Sequence, residues 1–577
     1  MKSLRKIFHA SLLALGMFAA AESQAQTIPT NFFGQNAWMP DTIGTNVLGG
    51  KLHQSWGAIG DSKAQVIRFG GIAADRDMPT NYQYIKMIDS ARAKGIEPII
   101  QVSYHNGKYN AQQAAAVVQY LNVTKSKNIK YFIIGNEPDL EYSFTTAAQV
   151  ANYIKPFATA MKAVDPNIII IGPECAWFNN GIIDGLTTPG GPNDITGRDA
   201  NGRYYVDIIS FHTYPFSGTQ SRSEVITKLT ATNEFQDKLV YLNNRIAAAN
   251  SANGRSGSSA LKTAVTEANV NYKNPATDDV NGVGANSFIG GQFIAEMFNI
   301  GLKNKLAFMN IWSVVEGNNT ELNIGYVDRS TGEKKPAFYH FKMMAENFKG
   351  NYVGGTTNNG NVKAFGSSNG QYIQVMVMNQ DQAANLNYTV RLNKDGISGN
   401  SSLKVNMDAN VAIEYNGVIN NQTTLLLTFN AAGQLVKKTE YSVTHAQAHQ
   451  GPVVTTYNSA VSGSNNGQSG DVTTGVEDNG ASDFVSMKGF SMNVFPNPAK
   501  SKFTIELDRS NKQEVKFQIE IFDIMGRLIY KQSSLFPERQ QKIDLSSNSV
   551  AEAVYIVRVR EEGDKDNWKS TKVIVFK

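Results

Sequence analysis

The chain has 577 residues, which is too long for one ordinary domain. Hydrophobic residues make up 41% of it and charged residues 18%, so a packed core is expected and disorder throughout is excluded. The net charge is +5 and forms no basic stripe, so no nucleic-acid partner is indicated. With Cys175 as the one cysteine, an intramolecular disulfide and a multi-cysteine metal site are both excluded.

Residues 1–25 predict a secretory signal peptide. Three basic residues precede an apolar run from Ile7 to Ala21, and Ser23 and Ala25 supply the small side chains of a cleavage site before Gln26. The apolar run is shorter than the ~20 residues that cross a bilayer. We therefore expect an exported protein without a membrane span.

From Thr27 to Gly350, short apolar runs alternate with amphipathic stretches of helical length. Apolar rather than alternating runs are typical of strands that are covered on both faces. The predicted strands are Phe33–Ala37, Gln65–Phe69, Glu97–Ser103, Lys130–Gly135, Asn167–Gly172, Val206–Phe211, Leu261–Thr266 and Leu306–Ile311. The predicted helices are Asn81–Lys94, Ala111–Lys127, Thr146–Val164, Ser223–Ala249 and Asn286–Leu302. This alternation predicts an α/β fold, the (β/α)8 TIM barrel, over residues 27–350.

After Gly350 the helical pattern stops. Residues 351–444 carry short alternating runs between Asn, Gly and Asp turns, which predict a β-sandwich. Its predicted strands include Tyr372–Met378, Leu386–Leu392, Ser402–Asn406, Val411–Tyr415 and Thr423–Thr428. Residues 445–486 are rich in Ser, Gly, Asn, Thr and Val, and this composition predicts a flexible linker.

Residues 487–577 have a β pattern again. Their motifs are Val494-Phe495-Pro496-Asn497-Pro498-Ala499, a turn at Met525-Gly526-Arg527 and the strand Tyr555–Arg560. This tail resembles the C-terminal sorting domain of the type IX secretion system of Bacteroidetes. The resemblance implies that the machinery of that system is a partner, and that the protein is secreted or attached to the cell surface. The alternative is an ordinary terminal β-sandwich binding module.

Polar side chains follow the predicted barrel strands at their C-terminal ends, where the active site of such a barrel lies. They are Arg68, His105, Asn136, Glu137, Glu174, His212, Tyr214, Glu267 and Trp312. Strands four and seven are three steps apart in the ring, so Glu137 and Glu267 are predicted to face each other. Glycoside hydrolysis needs two such carboxyl groups, one protonated and one ionised.

This arrangement resembles glycoside hydrolase clan A, whose families place an acid/base Glu after Asn on strand four and a nucleophilic Glu on strand seven. The resemblance implies that Glu137 is the acid/base and Glu267 the nucleophile, with carboxyl groups about 5–5.5 Å apart in the retaining geometry. It also implies substrate contacts for Asn136, Arg68, His212, Tyr214 and Trp312. The turn at Arg68-Phe69-Gly70-Gly71 is similar to that of the heparanase and β-glucuronidase type, and the layout is shared with arabinofuranosidases.

Several of these residues also have plainer interpretations. Arg68 could pair with a structural carboxylate such as Asp75, and His212 could be a core histidine. His105 is a candidate for sugar contact, and a loop-forming role is as well supported. Glu174 is either a binding or a structural carboxylate.

The sequence therefore predicts a secreted or cell-surface retaining O-glycosyl hydrolase acting on polysaccharide or oligosaccharide. This chemistry requires no metal or other cofactor. The alternative is a non-catalytic cell-surface carbohydrate-binding protein on a glycosidase fold, although the presence of both carboxyl groups argues against it. No Gly-x-Ser-x-Gly or His-Glu-x-x-His motif supports an esterase or a protease.

Overall fold

The structure is a computed structural model of the chain. It describes residues 26–37, 52–231, 234–275, 278–315, 323–328, 331–393, 403–409, 411, 414–461, 472–476, 490–509, 516–523, 527–535, 540–546, 553–561 and 569–575. The predicted signal peptide and the predicted turn at Gly526 lie outside the described residues.

A closed barrel of parallel strands forms the first part of the chain, as the sequence predicts. Its strands are β1 (Phe33–Asn36), β2 (Val66–Phe69), β3 (Glu97–Val102), β4 (Tyr131–Ile134), β5 (Ile169–Cys175), β6 (Ile208–Thr213), β7 (Lys262–Ala268) and β8 (Met309–Ile311). Pairing of β1 with β8 closes the ring. All eight predicted strands are present, within a few residues of their predicted bounds.

Helices surround the barrel. They are α1 (Leu52–Asp61), α2 (Ile72–Arg76), α3 (Asn81–Arg92), α4 (Ala111–Val118), α5 (Ala147–Val164), α6 (Asn180–Thr187), α7 (Arg222–Ala231), α8 (Glu234–Ala252), α9 (Phe288–Lys303) and α10 (Pro336–Asn347). Local signals fix several helix starts: the Thr146 side chain accepts from the Gln149 backbone N–H, and Gln149 reciprocates in a capping box. The sequence misses α1, α2 and α6, and glycines weaken the helical pattern of α1 and α6.

The barrel interior is apolar at its base and polar at its mouth. Val66, Ile99, Ile133 and neighbouring residues form a buried apolar layer inside the ring. Side chains alternate along a strand, so a residue two positions later points into the same interior. Arg68 therefore follows Val66 into the barrel, one layer nearer the C-terminal mouth.

A ten-stranded sheet follows the barrel. Its strands begin with β9 (Asn351–Thr357), β10 (Val362–Ser368), β11 (Tyr372–Asn379), β12 (Leu386–Arg391), β13 (Leu403–Met407), β14 (Glu414–Ile419), β15 (Thr423–Asn430) and β16 (Leu435–Ser442). The short helix α11 (Val443–Gln447) and strands β17 (Val453–Val461) and β18 (Val472–Val476) come next. Thr27, before the barrel, bridges to Asn351, so the described segment ahead of β1 joins this sheet.

The central strands of this sheet are buried on both faces. Val375 and Val377 of β11 face a core that strands of this sheet form among themselves, whereas Met376 and Met378 belong to the core of the barrel. This alternation attaches the sheet to α9 and α10 through apolar contact. The barrel and the sheet consequently share one continuous hydrophobic core.

Part of the predicted linker is wrong. Strand β17 pairs with β16, and β18 pairs with β17, so described segments of residues 445–486 extend the sheet. The β-branched run from Val453 to Thr456 has high strand propensity. Without β17, the backbone groups along the edge of β16 would be unpaired. Composition alone does not reveal that edge.

The tail forms a separate seven-stranded sheet. Its strands are β19 (Phe490–Lys500), β20 (Lys502–Arg509), β21 (Lys516–Asp523), β22 (Leu528–Leu535), β23 (Gln540–Asp544), β24 (Ala553–Glu561) and β25 (Lys569–Val575). Buried residues such as Phe517, Ile519 and Val557 give the tail its own core. Among the described helices of the whole chain, none has the length and apolar character that a membrane crossing requires.

Close packing between β1 and its neighbours gives a test of the barrel. A Cβ added at Gly34 would lie 1.9 Å from Asn310 Oδ1 and 2.8 Å from Val66 Cγ2. We expect Gly34→Ala to lower the free energy of unfolding by ~1–3 kcal/mol, measured by urea denaturation, because overpacking forces the strands apart.

The matched control is Gly57→Ala in α1, where an added Cβ meets nothing within 4 Å. Replacing a helical glycine by alanine should raise stability by ~0.5–1 kcal/mol. Equal effects of the two substitutions would contradict the packing described for β1.

Candidate active site

The two predicted carboxyl groups face each other at the mouth of the barrel. One carboxyl oxygen of Glu137, one carboxyl oxygen of Glu267 and one ring nitrogen of His212 all lie within 4.8 Å of one another. Glu137 follows β4 with a φ of 44°, and its backbone N–H donates to the carbonyl of Glu174 at 3.0 Å. This turn, left-handed at a non-glycine residue, ties the backbone that follows β4 to the neighbouring strand β5.

The guanidinium of Arg68 is fully buried and organises the site. Its Nη1 donates to Glu267 Oε1 at 2.6 Å, and its Nη2 donates to Asn136 Oδ1 at 2.8 Å. Nη2 also lies 3.0 Å from Glu174 Oε2. Arg68 thus pairs with carboxylates of the mouth, and the structural pairing with Asp75 that the sequence left open is not what it makes.

Two side chains of the β6 region reach the same carboxyl groups. The Tyr214 hydroxyl donates to Glu267 Oε2 at 2.6 Å. His212 Nδ1 lies 2.8 Å from Glu137 Oε1 and 3.5 Å from Glu267 Oε2, while its Nε2 lies 3.3 Å from Glu174 Oε2. His212 is buried, yet both of its ring nitrogens face carboxyl groups.

These contacts shift the protonation of the buried groups. Burial lowers the pKa of His212, but Glu267, Glu137 and Glu174 outweigh it and raise the pKa to about 10, so the ring is an imidazolium at neutral pH. Burial raises the pKa of Glu174, but Arg68 and His212 outweigh that effect and lower it to about 2.

Opposing effects act on the pKa of the Glu267 carboxyl group. Burial raises the pKa of its carboxyl above the ordinary value, and the charge of Glu137 acts in the same direction. The charges of His212 and Arg68 and the hydrogen bond from Tyr214 oppose this rise. The two 2.6 Å hydrogen bonds that Glu267 accepts stabilise its ionised form.

Trp312 and His105 occupy different positions relative to this cluster. Trp312 follows β8, is largely buried and packs with Tyr214, Ala285 and Ile324. His105 follows β3, where its backbone N–H donates to Asp75 Oδ2 at 3.1 Å and its ring is partly exposed. The contacts of His105 support the loop-forming role, and its contact with sugar remains a prediction.

Two residues of the site, Asn36 and Gln101, were not predicted from the sequence. Asn36 Oδ1 accepts from Arg68 at 3.1 Å, and Gln101 Oε1 accepts from Arg68 at the same distance. Both are fully buried and stand inside predicted barrel strands. A polar side chain within an apolar barrel strand is the sequence signal that would have found them.

The cluster of Glu137, His212 and Glu267 is also the one place among the described residues where three ligand-type side chains could surround a metal ion. The nearby Arg68 guanidinium would repel a cation there. Arg68 and Tyr214 moreover occupy both oxygens of Glu267. The donor set therefore suits internal ion pairing better than metal binding.

The charge on His212 predicts how stability depends on pH. Because its folded pKa of about 10 lies above the unfolded value, its stabilisation is complete below pH ~6.5 and is lost as pH rises towards 10. We expect the free energy of unfolding to fall by ~1.4 kcal/mol per pH unit in this window, measured by denaturant titration.

His212→Gln should remove this slope. The matched control is His340→Gln: burial lowers the pKa of His340 to about 4, so its own contribution lies in the acid range and the alkaline slope should persist. A slope that survives in His212→Gln would show that His212 is neutral in the folded protein.

Two family models match the chain. A cellulase model of glycosyl hydrolase family 5 matches residues 54–275, and a secretion system C-terminal sorting domain matches residues 493–576. No curated protein matches the chain.

Solved glycosidase structures are similar to the chain at low identity. A bacterial orthologue of human α-L-iduronidase has a TM-score of 0.51 at 10% identity, over 94% of this chain and 97% of that one. A Paenibacillus polymyxa xyloglucanase of glycoside hydrolase family 44 has a TM-score of 0.47 at 12% identity, over 70% and 97%. A glycoside hydrolase family 5 enzyme from Prevotella bryantii B14 has a TM-score of 0.36 at 12% identity, over 55% and 96%.

The first of these similarities shows the fold, and the matched models identify two parts of the chain. The sorting domain marks export through the type IX secretion system. The chain therefore joins a barrel that matches the cellulase model of glycosyl hydrolase family 5 to a type IX sorting domain, in a protein that is secreted or held at the cell surface.

Proposed function

We propose that the protein is a retaining glycoside hydrolase with Glu267 as nucleophile and Glu137 as acid/base. The observation that carries the proposal is the separation of these two groups, whose nearest oxygens lie within 4.8 Å. Inverting enzymes hold their carboxyl groups ~6.5–9.5 Å apart to admit a water between them, whereas retaining enzymes hold them ~5–5.5 Å apart.

In the first step Glu267 attacks the anomeric carbon. The glycosidic C–O bond breaks, the proton of Glu137 passes to the leaving oxygen, and a glycosyl ester forms on Glu267. In the second step Glu137 takes a proton from water, whose oxygen attacks the anomeric carbon and releases Glu267. Two inversions at that carbon retain its configuration.

The surrounding residues have roles that follow from their contacts. Arg68 and Tyr214 orient Glu267 and stabilise its charge, since each donates to a different oxygen at 2.6 Å. Arg68 occupies Oδ1 of Asn136, which leaves the amide nitrogen as a donor for a sugar 2-hydroxyl. Trp312 offers an aromatic face for a sugar ring beside Tyr214.

The match to a cellulase model supports β-linked glucans as the first candidate substrates. The domain division supports action outside the cell. We propose a signal peptide at 1–25, a catalytic barrel at 27–350, a β-sandwich from 351 that β17 and β18 extend, and a sorting domain at 487–577. The protein would then act on polysaccharide or oligosaccharide outside the cell, after its export.

The substrate class is tested with the full chain on a panel of β-glucans, xylans, mannans, arabinans and aryl glycosides. We expect turnover of at least one substrate, with the first product released in the anomeric configuration of the substrate, as read by proton NMR. Glu267→Gln should abolish that turnover. Glu141→Gln, a like change at an exposed carboxyl group near the mouth, should retain it.

Two results would contradict this proposal. A first product of inverted configuration would show an inverting enzyme. Binding of a glycan by the wild type without turnover of any substrate would favour the alternative, a carbohydrate-binding protein on a glycosidase fold.

Glu137→Ala separates the two steps. With a dinitrophenyl glycoside, whose leaving group needs no proton, the ester should still form but hydrolyse slowly, because the base of the second step is missing. Added azide needs no base, so it should restore turnover and yield a glycosyl azide of retained configuration. Failure of azide to accelerate this variant would argue against Glu137 as the acid/base.

A further inference from the structure

Glu174 is a fully buried carboxyl group that the proposed steps do not use. It lies at the end of β5 with a φ of 62°, a backbone conformation that is costly for a residue other than glycine. Strain of this kind persists where the surrounding contacts impose it. The contacts of Glu174 therefore indicate what the residue does.

Each part of Glu174 contacts the catalytic cluster or its supports. Oε2 lies 3.0 Å from Arg68 Nη2 and 3.3 Å from His212 Nε2, and Oε1 accepts from Thr266 Oγ1 at 2.8 Å. The Glu174 carbonyl accepts from the backbone N–H of Glu137 at 3.0 Å. One residue thus holds both cations of the site and the backbone of the proposed acid/base.

The charges around His212 nearly balance. Arg68 and His212 are the cations, and three carboxyl groups face them, on Glu137, Glu174 and Glu267. In a buried site of low polarity the cluster is most stable near zero net charge. If Glu174 and Glu267 are ionised, Glu137 is the carboxyl group that holds a proton.

One further charged group acts on His212 without contacting its ring nitrogens. Asp139, after β4, acts at longer range, and its carboxylate accepts from the Ala176 N–H at 2.8 Å. Tyr214, just after the end of β6, directs its hydroxyl to Glu267. Of the three carboxyl groups that face His212, Glu174 is the one whose charge the proposed steps leave unchanged.

We propose that Glu174 is a positioning residue of the reaction proposed above, a permanent counter-charge that keeps His212 as an imidazolium between Glu137 and Glu267. His212 then donates Nε2–H to Glu174 and Nδ1–H to Glu137 Oε1. The transferable proton of Glu137 sits on its other oxygen, Oε2.

This arrangement serves both steps. Before the first step the anions are Glu174 and Glu267. Once the ester forms, Glu267 has lost its charge and Glu137 has given up its proton, so the anions are Glu174 and Glu137. The negative charge has moved between two groups that His212 Nδ1 already faces, at 2.8 Å and 3.5 Å, and the net charge of the cluster is unchanged.

The first test does not depend on activity. In full-length protein with ¹⁵N-labelled histidine, NMR of the ring nitrogens, assigned by the loss of signal in His212→Gln, should show His212 doubly protonated from pH 6 to 9. In Glu174→Gln, His212 should lose its proton at least about one pH unit lower, because one of its three carboxylates is gone. Glu296→Gln, a like change at a buried carboxyl group on α9, should leave His212 as in the wild type.

A neutral His212 ring in the wild type at pH 7 would overturn the proposal, as would unchanged titration in Glu174→Gln. If Glu174→Gln does not fold, Glu174→Asp replaces it. That variant keeps the charge but shortens the side chain, so His212 should remain protonated at pH 7, and a neutral ring there would count against the proposal.

The second test separates positioning from mere support of the fold. Glu174→Gln should lose at least about tenfold more kcat/KM on a phenyl glycoside than on a dinitrophenyl glycoside. Unsubstituted phenol needs the proton of Glu137 to leave, whereas dinitrophenol leaves as its anion. Equal losses on the two substrates would indicate a structural role. If the wild type turns over no substrate of the panel above, the proposed function fails, while the NMR result still decides the role of Glu174.

Discussion

The buried guanidinium of Arg68 is the constraint on which the rest of the mouth depends. A charge without exposure to water must be matched by carboxylates and by hydrogen-bond acceptors, or the fold is destabilised by several kcal/mol. Arg68 finds these partners on other strands: Asn36 on β1, Gln101 on β3, Glu174 on β5 and Glu267 on β7. The groups proposed to act on the sugar are therefore held by the closure of the barrel itself.

The sandwich strengthens that barrel through polar as well as apolar contacts. Gln292 of α9 donates to the carbonyl of Asn379 at 3.2 Å, and His340 Nε2 of α10 lies 2.9 Å from Thr424 Oγ1. These buried groups fix the register of the sheet against the two helices, because an unmatched polar atom there would be costly. The ten-stranded sheet is accordingly packed as one unit with the barrel, while the tail has a core of its own.

The barrel was predictable because its signals are local and repeated. Apolar runs such as Glu97–Val102 identify strands covered on both faces, and the order of the strands then brings Glu137 and Glu267 to one mouth. Contacts set by distant residues were not predictable. No residue near Glu174 in the sequence indicates that its carboxylate contacts Arg68 and His212. Likewise, no residue near Val453 indicates that its segment pairs with the edge strand β16.

The charges of Arg68 and His212 are proposed to stabilise ionised Glu267 as the nucleophile. The most direct measurement is mass spectrometry of the protein after incubation with an activated 2-deoxy-2-fluoro glycoside of the sugar that it hydrolyses, which slows breakdown of the ester. The account predicts one added glycosyl group, mapped by peptide analysis to Glu267. Turnover of the parent glycoside without any adduct, or an adduct on Glu137 or Glu174, would contradict it.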